Sequence, residues 1–160
     1  SFAVQNRVSI AYEEMPQNVK DAIVAGENQS FWTDPGISIE GIIRAIVSAL
    51  GPGDTVGGST ITQQYVKILY LSQDKTLTRK LKEIVIALKV GQELPKERIL
   101  EGYLNTVYFG RGAYGIQAAA QNFFAKDAKA LTLPEAVALG LGPGARQAVG
   151  SGRHSIERAT

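Results

Sequence analysis

The sequence predicts one mainly α-helical domain, and three observations carry that reading. Apolar residues recur at three- and four-residue spacing in segment after segment, each bounded by proline, glycine or a capping hydroxyl. Strand signals are weak, confined to Val8-Ser9-Ile10 and Val107-Tyr108-Phe109. The 160 residues suit one domain with a sizeable core, and they show no internal repeat and no linker.

The elements follow in order. Pro16 opens a first helix in which Val19, Ala22, Ile23 and Gly26 are spaced to share a face. Ser38 can cap a second carrying Ile42, Ile43, Ile46, Val47 and Leu50, stopped by Gly51-Pro52-Gly53. A third runs from Thr60 to Leu71, where Thr60 and Gln63 have capping-box spacing. The longest spans Thr76 to about Leu94, with Leu77, Leu81, Ile84 and Leu88 as its apolar stripe. Pro95 opens a fifth that should bury Ile99, Leu100, Tyr103 and Leu104; 113–125 and 134–141 are further candidates. From Gly140 on, glycines interrupt any helix, so the domain is expected over 1–139 and a glycine-rich segment over 140–160.

Composition narrows the function. A hydrophobic share of 44% and a charged share of 20% are those of an ordinary globular domain, and a net charge of +2 gives no case for nucleic acid as a partner. Zero cysteines exclude disulfides and thiolate metal sites. The only histidine, His154, sits in the tail without companions, so no metal ligands are assigned. No apolar run approaches the ~20 residues that span a bilayer, and no signal peptide opens the sequence.

The densest polar string is Gly57-Gly58-Ser59-Thr60-Ile61-Thr62-Gln63-Gln64. A helix starting there would present N–H groups and the positive end of its dipole to an anion, with Lys67 adding a cation one turn on. A plain polar cap followed by a solvated lysine is the competing reading. Lys67, Lys75, Arg79 and Lys80 then fall within fourteen residues. They suit a diphosphate, since arginine grips phosphate oxygens bidentately and lysine adds point charge. Glu27 ends an apolar helical run, where the dipole disfavours an anion and some other reason for a carboxylate is needed. Glu83 lies one turn after Arg79, placed either for an intrahelical salt bridge or for chemistry. Tyr65, Ile68, Leu69, Tyr70 and Leu71 read as core, or as an exposed surface if the domain meets a membrane. Gly110-Arg111-Gly112-Ala113-Tyr114-Gly115 matches the dinucleotide fingerprint, with Glu135 twenty residues on. It is rejected, because helical periodicity precedes it and βαβ units are missing.

Several of these strings stand in one order: Glu27-Asn28-Gln29-Ser30-Phe31, Arg44-Ala45, Gly57 to Gln64 with Lys67, Arg79-Lys80-Leu81-Lys82-Glu83, Ile99 to Asn105, and Tyr108 to Ile116. Together, from about Val8 to Leu139, they resemble the peptidoglycan glycosyltransferases of family 51, the polymerase domain of class A penicillin-binding proteins and of monofunctional transglycosylases. The resemblance implies a single lysozyme-like helical domain with a membrane-proximal lobe. It implies polymerisation of lipid II into β-1,4-linked glycan with inversion and release of lipid diphosphate. Glu27 and Glu83 would be catalytic, Glu27 as general base on the acceptor's sugar hydroxyl. Arg44, Ser59, Thr60, Gln63, Gln64, Lys67, Lys75, Arg79 and Lys80 would bind substrate, and Asn105 would hold the fold near the cleft.

No cofactor is required on this reading, and a divalent cation, Mg or Mn, is compatible with the diphosphate. The partners implied are lipid II, the nascent glycan chain, the membrane surface, moenomycin-type inhibitors and an attached transpeptidase domain. The location implied is the outer face of the bacterial cytoplasmic membrane, with an anchor upstream in the full-length protein. Asn28 replaces the usual aspartate, which should make Glu27 a somewhat weaker base. Asp34 stands where histidine is frequent, Ile68 where asparagine is common, and Leu139 to Gly144 departs from the family pattern. Two alternatives are a lysozyme-like glycan hydrolase or lytic transglycosylase, and a non-catalytic lipid-II-binding module. A hydrolase needs an acid for its leaving oxygen and has no use for the basic cluster.

Overall fold

The structure, a computed structural model, describes residues 8–51, 58–70 and 76–140. The expected Lys75, Leu71, His154 and the whole of 141–160 lie outside the described residues. Among those described there are seven α-helices: α1 (Gln17–Glu27), α2 (Ile39–Leu50), α3 (Ile61–Tyr70), α4 (Leu77–Glu93), α5 (Lys96–Thr106), α6 (Ile116–Phe124) and α7 (Leu133–Gly140). The only sheet among them is a two-stranded ribbon, β1 (Tyr108–Gly110) against β2 (Ala113–Tyr114). The domain is mainly α, as the periodicity predicts.

Two compact bodies make it up, and the first is discontinuous, drawing on the chain up to Glu27 and from Leu104 onward. Its centre is the packing of α1 on α7. Gly26 and Gly140 allow backbone to meet backbone there: a Cβ on Gly26 would collide with the Gly140 carbonyl, and one on Gly140 would lie 2.7 Å from the Ala22 carbonyl. Val19, Ile23 and Val24 of α1, and Ala136 and Leu139 of α7, are buried. The segment Val8-Ser9-Ile10 forms no strand. The Ile10 N–H donates to Asn105 Oδ1 and the Ile10 carbonyl accepts from Asn105 Nδ2, both at 3.0 Å, so one side chain supplies the pairing a neighbouring strand would give. This is the fold-holding role expected of Asn105.

The glycine-rich fingerprint is the ribbon. β1 does precede it, at the weak strand signal of Val107-Tyr108-Phe109 and just after helix α5, but it returns antiparallel through Arg111 and Gly112, both at positive φ. That hairpin leads into α6, and no βαβ unit surrounds it among the described residues.

The second body spans Asn28–Tyr103. α3 and α4 pack together, and the amino-terminal part of α5 buries Ile99, Leu100 and Tyr103 as expected. The expected stripe of α4 is not its core face. Leu77 is 66% and Leu81 57% exposed, while Glu83 and Ala87 are the buried residues. On α2, Ile39, Ile43, Ile46, Val47 and Leu50 are all exposed, and so are Ile68, Leu69 and Tyr70 on α3. Helical spacing identified these apolar faces correctly, but it could not say that they would stay exposed among the described residues.

Candidate active site

α3 is held at its start by three side-chain hydrogen bonds. The Thr60 N–H donates to Gln63 Oε1 and the Gln63 N–H to Thr60 Oγ1, each at 3.0 Å, closing the capping box that the sequence spacing predicts. The Ile61 N–H donates to Asn28 Oδ1 at 3.1 Å. The expectation that this helix start offers unpaired N–H groups to an anion is corrected for these three alone, which protein oxygens already occupy. Thr60 and Gln63 are buried, and Thr60 Oγ1 also donates to the Gly36 carbonyl at 2.7 Å. Their geometry gives them a structural task, building the shelf from which neighbours project.

Ser59 and Gln64 are those neighbours. Gly58 lies against Gly41 of α2, where a Cβ on Gly41 would strike the Gly58 carbonyl, so both positions need the missing side chain. Gln64 Nε2 donates to the Ser59 carbonyl at 3.2 Å, and Gln64 Oε1 accepts from Tyr103 Oη at 3.1 Å. Ser59 Oγ accepts from Lys80 Nζ at 3.1 Å, and the same ammonium donates to Glu83 Oε1 at 2.7 Å. Tyr103, Gln64, Ser59, Lys80 and Glu83 thus form one connected polar network. It corrects the expected partner of Glu83, which is Lys80 at i−3 rather than Arg79 at i−4. Glu83 is only 2% exposed and Lys80 25%, so the carboxylate is sealed behind the cation it holds.

The other expected residues are placed as follows. Arg79 is half-buried on the first turn of α4, and its Nε is buried without a hydrogen-bond partner. Lys67 is exposed on α3, as is Lys82 on α4. Arg44 is exposed on α2 and pairs with Glu40 at 2.8 Å, an i,i+4 contact of small energetic weight. Glu27, the last residue of α1, is half-buried in the first body, whereas all the others belong to the second. Among the described residues no three His, Cys, Asp or Glu side chains gather as a metal site.

The turn that leaves Glu27 carries an ion pair that sequence reasoning missed. Asp34 Oδ1 meets Lys96 Nζ of α5 at 3.1 Å across 62 positions, a separation that leaves no local signal. Asn28, singled out for the charge it lacks, spends its carboxamide on Ile61 and on Ser30 Oγ, so its first effect is on this turn.

The profile of the transglycosylase family matches residues 1–150. The chain belongs to the transglycosylase family. Among its relatives, penicillin-binding protein 1A of Mycobacterium tuberculosis is 44% identical over 138 residues, 84% of this chain and 17% of that protein. Penicillin-binding protein 1F of Bacillus subtilis is 41% identical over 140 residues, 87% of this chain and 20% of that protein. Penicillin-binding protein 1A of Aquifex aeolicus is 42% identical, covering 87% and 19%. This transglycosylase chain therefore spans about a fifth of the length of those relatives. No helix of its described residues is long and apolar enough to cross a membrane.

Proposed function

We propose that this transglycosylase polymerises lipid II into β-1,4-linked glycan, with Glu27 as general base and lipid diphosphate as leaving group. Glu27 takes the proton from the acceptor's sugar hydroxyl as that oxygen bonds to the anomeric carbon of the donor. The carbon–oxygen bond to the diphosphate breaks, and its electron pair departs with the lipid diphosphate. A leaving group that departs as an anion needs charge stabilisation rather than an acid. Attack opposite an α-linked leaving group gives the β-linked product.

The observation that carries this reading is the Lys80 ammonium, fixed between Ser59 Oγ and the buried Glu83, with Arg79 beside it holding an unused buried donor. An orphaned guanidinium N–H is costly in the free protein and would be satisfied by a diphosphate oxygen. Arg44, Lys67 and Lys75 would add positive charge on the donor side, and a divalent cation there would take the substrate's own phosphate oxygens as ligands. Exposed apolar residues on α2, α3 and α4 support contact with a membrane surface, where a lipid-linked substrate is presented. The outer face of the cytoplasmic membrane, an attached transpeptidase domain as in a penicillin-binding protein, and inhibition by moenomycin-type compounds belong to the same reading.

The test is incubation with lipid II in detergent. Polymer marks a transferase, shortening of preformed glycan marks a hydrolase, and neither outcome leaves a binding module. Glu27→Gln keeps shape and hydrogen bonding but removes the base, and should lose ~10²–10⁴-fold in rate at an unchanged melting temperature. A Glu27→Gln protein that polymerises at the parent rate ends the assignment of the base.

A further inference from the structure

Asn28, Ser30, Asp34 and Lys96 form a hydrogen-bonded chain whose direction is dictated by donor count, and the proposed reaction leaves it unused. The Ile61 N–H can only donate, so the Asn28 oxygen must face it at 3.1 Å. The Asn28 nitrogen is left facing Ser30 Oγ, also at 3.1 Å. At the other end, the Asp34 carboxylate pairs with Lys96 and can only accept, so Ser30 Oγ must donate to Asp34 Oδ2 across 3.2 Å. A hydroxyl has one proton. With that proton committed to Asp34, residue 28 has to donate to Ser30 while accepting from Ile61, and an amide does both where a carboxylate cannot.

The same chain ties down the rest of the turn. Asp34 Oδ1 accepts from the Gly36 N–H at 2.9 Å, and Lys96 Nζ donates to the Asp34 carbonyl at 2.7 Å. Lys96 also lies 4.9 Å from the centre of the buried Phe31 ring.

We propose that Asn28 and Asp34 are a matched donor–acceptor pair acting through the Ser30 hydroxyl, and that the pair positions the turn of residues 28–36 that leaves Glu27. The matching is independent of the reaction; only its effect on rate rests on Glu27 being the base. In Asn28→Asp two carboxylates face one proton, and one link must break. Adding Asp34→Asn puts a donor on the opposite side, so the Ser30 proton can turn round and the chain closes with reversed direction.

Melting temperatures of the parent, Asn28→Asp, Asp34→Asn and the double variant test the matching. Asn28→Asp should melt about 2–4 °C below the parent, the effect of losing one exposed hydrogen bond in a domain of this size. The double variant should melt above Asn28→Asp. The cycle is then repeated in a Ser30→Ala background, where the rescue should vanish. Additive effects, or a rescue that survives Ser30→Ala and so reflects plain charge repulsion, would overturn the pairing. Lipid II kinetics on the same proteins test the positioning. Asn28→Asp should lower kcat at least tenfold with KM unchanged, and the double variant should recover it. Rescued melting without rescued kcat would overturn the positioning while leaving the pairing intact. Failure of Glu27 as base would show separately, in Glu27→Gln.

Discussion

Glu83 is a carboxylate buried to 2% exposure whose one short contact is a lysine. A base must reach the proton it abstracts, and this one is closed off by Lys80. The geometry therefore favours a positioning role, in which Glu83 fixes the ammonium that would face the departing diphosphate. The two roles differ in what glutamine can replace. Glutamine offers Lys80 an oxygen of the same reach without the charge, whereas alanine leaves a partly buried ammonium with only Ser59 Oγ. Glu83→Ala should cost about 2–4 kcal/mol of stability, near the range for breaking a buried ion pair, and Glu83→Gln distinctly less. In polymerisation assays Glu83→Gln should retain more kcat than Glu83→Ala. Equal and near-complete loss in both, with both proteins folded, would restore Glu83 to the role of base or acid.

At the scale of elements, the start of α7 contributes to the acid stability of the first body. Glu135 Oε1 accepts from the Thr132 N–H and Thr132 Oγ1 at 2.9 Å and from Lys126 Nζ at 2.8 Å. The Lys126 hydrogen bond, followed by the Thr132 N–H, lowers the Glu135 pKa from 4.5 to about 2. A depressed folded-state pKa means the stabilisation is fully present above the unfolded value near 4.5 and is lost as pH falls towards about 2. In thermal melts the parent should exceed Glu135→Gln by a constant margin above pH 5, and that margin should shrink as pH falls through the range from 4.5 to about 2 and vanish only below it. A margin independent of pH would mean the cap owes nothing to charge. Caps of this kind, here and at Thr60–Gln63, are legible in sequence because both partners lie within three residues. The faces of α2 and α4 are legible as apolar but not as exposed, since exposure depends on what the rest of the chain brings. The partner of Glu83 was missed by one position on the helix, because i−3 and i−4 are equally near before side chains choose.

For the molecule as a whole, the helices and polar string could be read in the sequence, but the division into two bodies could not. The first body joins segments through contacts such as Ile10 to Asn105 and Asn18 to Leu131, 95 and 113 positions apart, which leave no local pattern. A ligand that binds only the folded chain reports on this whole by raising its melting temperature. Glu27→Gln is the protein for that measurement, because lipid II should bind it without being consumed. At a hundred times the dissociation constant the stabilisation is about 2.7 kcal/mol, or roughly 5–10 °C for a domain of this size. Arg79→Ala or Lys67→Ala in that background should reduce the shift, each by the equivalent of at least tenfold in affinity, about 1.4 kcal/mol. Raising the salt should weaken binding in the parent more than in these variants, since a charge already removed cannot be screened. The detergent is held constant throughout. Equal shifts in all three proteins would return Lys67 and Arg79 to an ordinary solvated face and leave the diphosphate to other residues.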